Sequence, residues 1–381
     1  MEKKKLLMFH PALAPYRIDE FNALNSLYEL KIVFLSENLW NQKFNQSKLL
    51  PQLTFQYSYL LKGIGYKERI FRFGILRTIR EFKPDIIMGY EFSIVTQYLI
   101  LLKRLGLISQ KIGSITDDSL DICSHIKSTL RSTARNVALK HLDFLVVMSQ
   151  EVSAYYQKEY HLNKNQLIIA PIIQNPDRLR KNSKILEKTA SEYLQRFQLA
   201  EKKILLFVGR LVREKGLTVF LDTIHTILPE NNQIVIVFVG EGEELQTLQS
   251  MAKSMQLSDR VIFPGRYEGD ELYAWYLCAS GFVLPSTYEP FGAVVNEALI
   301  FGLKVLCSQY AGASSLIRAD NGLIYNPLNK EESIEKIKLF INSIETVRDV
   351  SLSKKPSLIT NHQKEFIEEW EKTGLLLVAN G

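Results

Sequence analysis

Short apolar runs, each closed by a polar or glycine-bearing loop and followed by residues at helical spacing, recur along the chain. In the first half they fall at residues 5–9, 84–89 (P-D-I-I-M-G), 111–116 (K-I-G-S-I-T), 143–149 (D-F-L-V-V-M-S) and 167–171 (L-I-I-A-P). In the second half they fall at 203–209, 234–240, 260–263 and 281–284. Runs of this length without alternation read as strands buried on both faces, and their alternation with helical patterns predicts doubly wound parallel sheets. Helices are predicted over 217–227, 272–280, 293–301 and, amphipathic through Phe366, Ile367 and Trp370, over 361–377. Residues 174–202, opening N-P-D-R-L-R-K-N-S, read as a polar linker between two domains of about 1–175 and 202–350.

Composition changes this picture little. The 381 residues are 46% hydrophobic and 23% charged, which suits a water-soluble chain of two or three domains. Cys123, Cys278 and Cys307 are far apart, and the six His are scattered, so a zinc or disulfide framework is not expected and a reducing cytosol is. The start, M-E-K-K-K-L-L-M-F-H, has the charge of a leader but too short an apolar run, and reads as a strand. No segment approaches the ~18 apolar residues of a membrane span.

Charge is uneven. Residues 1–180 hold 25 Lys and Arg against 16 Asp and Glu, and residues 181–381 hold 22 against 25. Much of the surplus lies at Lys62, Lys67, Arg69, Arg72, Arg77, Arg80 and Lys83, interleaved with Ile70, Phe71, Phe73, Ile75, Leu76 and Ile79. Two readings fit: a basic amphipathic helix resting on an anionic membrane, or a solvated helix with its apolar side in the core. No nucleic-acid motif accompanies the charge, so nucleic acid is not an expected partner.

The densest chemistry follows the 281–284 run, in V-L-P-S-T-Y-E-P-F-G-A-V-V-N-E. Glu289 and Glu297 stand eight apart across a predicted helix start near Gly292. The first amides of a helix lack intrahelical partners, so a diphosphate fits the N–H groups of Phe291, Gly292 and Ala293. Glu297 would then accept from ribose hydroxyls and Glu289 would face the sugar; the plain alternative is a dipole-favouring acid and a solvated one. Arg210 and Lys215 follow the 203–209 strand, where open α/β sheets place ligands, and would neutralise a leaving diphosphate; the alternative is an ordinary basic loop. Gly209, Gly240 and Gly242 close strands, where a bare backbone allows close approach or simply a turn. The Tyr, Trp and Leu of 272–280 read as core.

F-V-G-R-L-V-R-E-K-G-L, V-F-V-G-E-G-E-E-L, V-I-F-P-G and V-L-P-S-T-Y-E-P-F-G-A-V-V-N-E-A-L-I-F-G, in this order over 203–327, together resemble the nucleotide-sugar domain of the retaining glycosyltransferase family four. The resemblance implies the α/β GT-B fold: two doubly wound Rossmann-like domains facing across a cleft, with a C-terminal helix at 360–378 crossing back to the first. It implies that Arg210, Lys215 and Glu289 are catalytic, and that Glu297, the amides of Phe291, Gly292 and Ala293, and the loops at Gly209 and Gly240 bind the donor. Residues 321–327 resemble the final strand. The implied reaction is retaining transfer from a nucleotide-diphosphate sugar, UDP-type, to a saccharide or lipid-linked acceptor in surface polysaccharide synthesis. It implies no metal or cofactor and a cytoplasmic location, at the inner face of the cell membrane if the basic cluster touches lipid. The alternatives are a GT-B epimerase or hydrolase, and an inactive GT-B partner subunit.

The first domain resembles the family less closely. Relatives often carry Gly-Gly in the first loop, where this chain has H-P-A-L-A-P-Y-R. Arg17, beside Tyr16, is expected to supply charge there or else to pair with Asp19 or Glu20. The family's cleft His is replaced in K-I-G-S-I-T-D-D-S by Asp117 and Asp118, which would bind an acceptor hydroxyl or cap a helix. His10 is a further candidate in this loop, or else core or loop filler.

Overall fold

The structure is a computed structural model and describes residues 3–39, 42–66, 69–125 and 128–379. The chain forms two compact units, Met1–Gln174 with Asn361–Gly381, and Asn175–Thr360.

The strands of the first unit are β1 (Lys5–His10), β2 (Glu29–Phe34), β3 (Gln56–Tyr59), β4 (Gly63–Tyr66), β5 (Arg69–Arg72), β6 (Ile86–Tyr90), β7 (Lys111–Ile115), β8 (Phe144–Val147) and β9 (Leu167–Ile169). Seven of them make a parallel sheet in the order β3-β2-β1-β6-β7-β8-β9, and β4 pairs only with β5 in an antiparallel hairpin. The second unit contributes β10 (Lys203–Val208), β11 (Ile234–Val239), β12 (Val261–Gly265), β13 (Gly281–Leu284), β14 (Lys304–Ser308) and β15 (Gly322–Tyr325), all parallel in the order β12-β11-β10-β13-β14-β15. Every residue of β11 and β13 is buried, as unalternating runs require when helices cover both sheet faces. In each sheet the strand order reverses once beside the first strand, between β1 and β6 and between β10 and β13.

Serines start the helices that follow three successive strands of the first unit. Ser93, Ser119 and Ser149 each accept a backbone N–H of the first turn. The cap after β7 is therefore Ser119, not Asp117 or Asp118. The helix His362–Ala379 returns to this unit, with Trp370 buried edge-on against Tyr28 at 6.1 Å.

Two expectations fail. Residues 174–202 are not a linker: they form the helices Pro176–Leu179 and Ser183–Arg196 of the second unit. Only Leu186, Ala190 and Tyr193 of the longer helix are buried, a stripe narrow enough to read as polar. Tyr193 stacks on Trp275 at 4.6 Å, which anchors this helix on Asp270–Cys278. Nor is the basic cluster one helix. Gly63, Gly65 and Gly74 break it into the β4–β5 hairpin and the helix Ile75–Phe82, and Gly74 at φ 101° is the turn that only glycine takes readily. Ile75 and Ile79 of that helix are buried while Arg77 and Arg80 are exposed, so its apolar side does face the core. Lys67 lies outside the described residues.

Candidate active site

In the second unit the candidate side chains gather where the strand order reverses. Arg210 and Lys215 lie in the loop after β10, and Ser286 and Glu289 in the loop after its neighbour β13. The loops are tied together, because the amides of Thr287 and Tyr288 both donate to the carbonyl of Glu214, at 2.9 and 3.2 Å. Lys215 Nζ pairs with Glu289 Oε2, and both side chains are largely buried. The Ser286 hydroxyl donates to the same carboxylate oxygen at 3.3 Å. Arg210 is half-buried, and its Nε, shielded from solvent, meets no hydrogen-bond partner among the described residues. A shielded N–H left in this way calls for an acceptor from outside the fold.

Gly292, at φ 95°, lies between Leu284 and Glu289, and a Cβ there would come within 2.8 Å of the Leu284 side chain. The helix begins at Val294, one residue later than the spacing predicts, and is short, ending at Ile300. Phe291, Gly292 and Ala293 precede it, and their N–H groups donate to no described residue. Glu297, in its first turn, is buried and accepts from the Tyr276 hydroxyl at 2.7 Å. Burial and the nearby Glu297 push the Tyr276 hydroxyl well above its ordinary range, so it remains a donor. Tyr276 is core, as its helix predicts, and also orients a carboxylate.

The glycine loops pack on each other. The Gly209 amide donates to Val239 O and the Gly240 amide to Gly265 O, at 3.0 and 2.9 Å. The side of Gly240 that a side chain would occupy is filled by the Gly209 carbonyl. The close approach at Gly240 is thus between two turns of the chain.

In the first unit, polar groups gather at the carboxyl ends of β1, β6 and β7. Arg17, in a 3₁₀ turn Pro15–Arg17, is buried and pairs with Glu20 at 2.5 Å and with Asp117. Of the expected local partners Glu20 is therefore the one found, and the second acid comes from 100 residues along the chain. The Tyr90 hydroxyl donates to Asp117 at 3.0 Å. Asp118 turns elsewhere, to a buried pair with Arg135 at 2.7 Å. Tyr16 lies beside Arg17, the guanidinium 5.9 Å from its ring centre. His10 Nδ1 contacts the Ala12 carbonyl at 3.0 Å, a bond that makes Nδ1 the donor and leaves Nε2 as an acceptor. Burial, then Arg17, lowers the His10 pKa to about 3, so the ring is neutral. His10 Nε2, Asp117 Oδ1 and Glu20 Oε1 are all buried acceptors without a partner among the described residues.

Ser286, Tyr276, Tyr90 and Arg135 escaped the sequence reading as site residues. Ser286 sat within the motif and carried a visible signal; the others are joined to the site only by the fold.

Two doubly wound parallel sheets, each collecting polar side chains where its strand order reverses, define a GT-B protein. HepE of Anabaena, in a crystal structure with UDP, shares this fold over 99% of this chain and 100% of its own, with a TM-score of 0.72 and 16% identity. Residues 191–354 match the family described as glycosyl transferases group 1. An uncharacterized glycosyltransferase of Haemophilus influenzae is 25% identical over 319 residues, 82% of this chain and 84% of that protein. The putative teichuronic acid biosynthesis glycosyltransferase TuaC of Bacillus subtilis is 31% identical over 152 residues, 40% of this chain and 36% of that protein. Over residues 191–354 the chain thus resembles the group 1 glycosyltransferases, and it is an enzyme that transfers sugars. Among the described residues no helix is long and apolar enough to cross a membrane.

Proposed function

We propose that this glycosyltransferase moves a hexose, with retention, from a UDP-type nucleotide sugar to a hydroxyl of a saccharide or lipid-linked saccharide in surface polysaccharide synthesis, at the cytoplasmic face of the cell membrane. The observation that carries the reading is the pairing of Lys215 with Glu289, in loops that also carry an Arg210 nitrogen without an acceptor among the described residues, at the reversal of strand order in the second unit. A diphosphate satisfies Arg210 and competes with Glu289 for Lys215. Released from part of that pairing, Glu289 is positioned to accept from a hydroxyl of the transferred sugar. The amides of Phe291, Gly292 and Ala293 take the remaining phosphate oxygens, and Glu297, oriented by Tyr276, takes the ribose.

As the bond from the anomeric carbon to the β-phosphate oxygen breaks, negative charge grows on the diphosphate. Arg210 and Lys215 stabilise it more there than in the ground state, and this reading gives them the neutralising role a metal plays elsewhere. The acceptor oxygen bonds to the anomeric carbon from the departing side and passes its proton to the leaving phosphate, so the products are a glycoside and a nucleoside diphosphate. Acceptor hydroxyls are assigned to the first unit, to Asp117 Oδ1 and His10 Nε2. Arg17 braces Asp117, Tyr16 flanks Arg17, and Arg135 holds Asp118 beside them.

Turnover of Lys215→Ala and Glu297→Ala with a panel of nucleotide sugars tests the roles. Lys215→Ala is expected to lose about 10²- to 10³-fold in kcat, as when one transition-state donor is removed. Unchanged kinetics in either variant removes that residue from the reading. Product formed without acceptor would instead indicate the epimerase or hydrolase, and an inverted anomer in the product would exclude retention.

A further inference from the structure

We propose that the β4–β5 hairpin is the element with which this protein docks on anionic lipid, its exposed apolar side chains reaching the acyl boundary while flanking cations meet the headgroups. The proposal specifies a surface for the membrane location put forward above, and its test does not pass through catalysis.

Residues 61–83 hold seven Lys and Arg against two Glu, so this one stretch carries +5 of the chain's net +6. Charge alone would describe any solvated surface. The apolar groups beside it are what single this one out: Leu61, Ile64 and Phe73 are 45, 69 and 57% exposed. Ile64 pairs with Phe71 across the hairpin, and the Phe73 amide donates to Lys62 O at 2.9 Å, so Lys62, Ile64, Phe71 and Phe73 share one face. Phe71 is held edge-on against Tyr98 at 5.1 Å, whereas Ile64 and Phe73 extend past that support. Beside them a recess of about 240 Å³ has Phe71, Phe73 and Tyr98 together with Arg72 and Arg77 in its lining. Arg77, Arg80 and Lys83 project from the helix that follows.

Exposed apolar side chains in a stretch rich in cations suit an anionic membrane surface, where each kind of group gains. A nucleic acid has no use for the aliphatic groups. A second copy of the hairpin would set like charge against like.

The full chain is tested by flotation with phosphatidylcholine vesicles, with and without phosphatidylglycerol, at low and high salt. The protein is expected to float with the anionic vesicles alone and to be released by salt. Lys62→Gln, Arg77→Gln and Arg80→Gln combined should weaken partitioning about a hundredfold. Ile64→Ser with Phe73→Ser should weaken it roughly tenfold or more. Both sets change exposed positions, and an unaltered UDP-induced thermal shift shows that they fold. Equal recovery on neutral and anionic vesicles, no recovery on either, wild-type flotation of the Ile64→Ser/Phe73→Ser protein, or retention by RNA without vesicle binding would each overturn the proposal. Failure of the donor reading is distinguishable, since it appears as a missing UDP shift in the unaltered protein.

Discussion

Tyr276 illustrates how one atom separates a core residue from a functional one. Its ring lies flat against Phe301, interplanar angle 6° at 5.6 Å, and would pack as well without the hydroxyl. Tyr276→Phe keeps that packing and removes the donor to Glu297, leaving a buried carboxylate oxygen short of a bond worth about 1–3 kcal/mol. The expected result is a KM for the nucleotide sugar raised roughly 5- to 100-fold at near-normal kcat. The preference for ribo- over 2′-deoxyribonucleotide donors should weaken with it, which steady-state kinetics with both donors reads. His10 makes a different prediction, of stability against pH. Its folded pKa of about 3 lies below the 6.5 of the unfolded chain, so on acidification the unfolded state takes the proton first. The stability His10 contributes is intact above pH 6.5 and falls by about 1.4 kcal/mol per unit on the way down to pH 3. Arg17, Asp117 and Tyr90 surround the ring, and Glu20, whose carboxyl burial pushes up against the pull of Arg17, titrates with the opposite sign. Comparing denaturation midpoints of the protein and His10→Gln across this range cancels those shared terms, and only the unaltered protein should show the added slope.

Among the elements, the glycine turns that end β10 and β11 carry the next prediction. Gly240 has φ 151° and the Gly209 carbonyl where a Cβ would go. Gly240→Ala must push the two turns apart, at a cost of about 1–3 kcal/mol or a few degrees in Tm, and should weaken donor binding through Arg210, which follows Gly209. A thermal melt with and without UDP measures both. These turns also mark where the sequence was readable. Strands such as β11 and β13 were plain because a fully buried parallel strand has no polar alternation to blur it, and the motif residues after β10 and β13 lay in loops whose glycines punctuate them. β2 and β3 were not anticipated: β2 alternates Lys31 between buried neighbours, and β3 is an exposed edge of Gln, Tyr and Ser. The Ser183–Arg196 helix hid behind its charged face. Tyr90 and Arg135 were invisible for another reason, since their partners Asp117 and Asp118 are brought to them by the fold, which spacing along the chain does not encode.

At the scale of the whole molecule, two cores of similar build are supplied by a chain that leaves the first and later comes back. Trp370 and Phe366 are buried when it does. Trp370→Ala empties a site against Tyr28, and the first unit should lose about 3–5 kcal/mol. Hydrogen exchange should report the loss in β1 and β2 and leave β10 and β11 protected as before. The order of residues has a consequence during synthesis. Residues 1–174 leave the ribosome without the helix that covers Tyr28, and 186 further residues must be made before it is available. The inserted unit, all of whose strands are by then outside, is able to finish first, while the earlier one waits with an aromatic surface bare. A nascent chain arrested shortly before position 361 should therefore recruit holding chaperones through its oldest part, and the codons of the helix His362–Ala379, though they encode no residue assigned to chemistry, set when the enzyme comes of age.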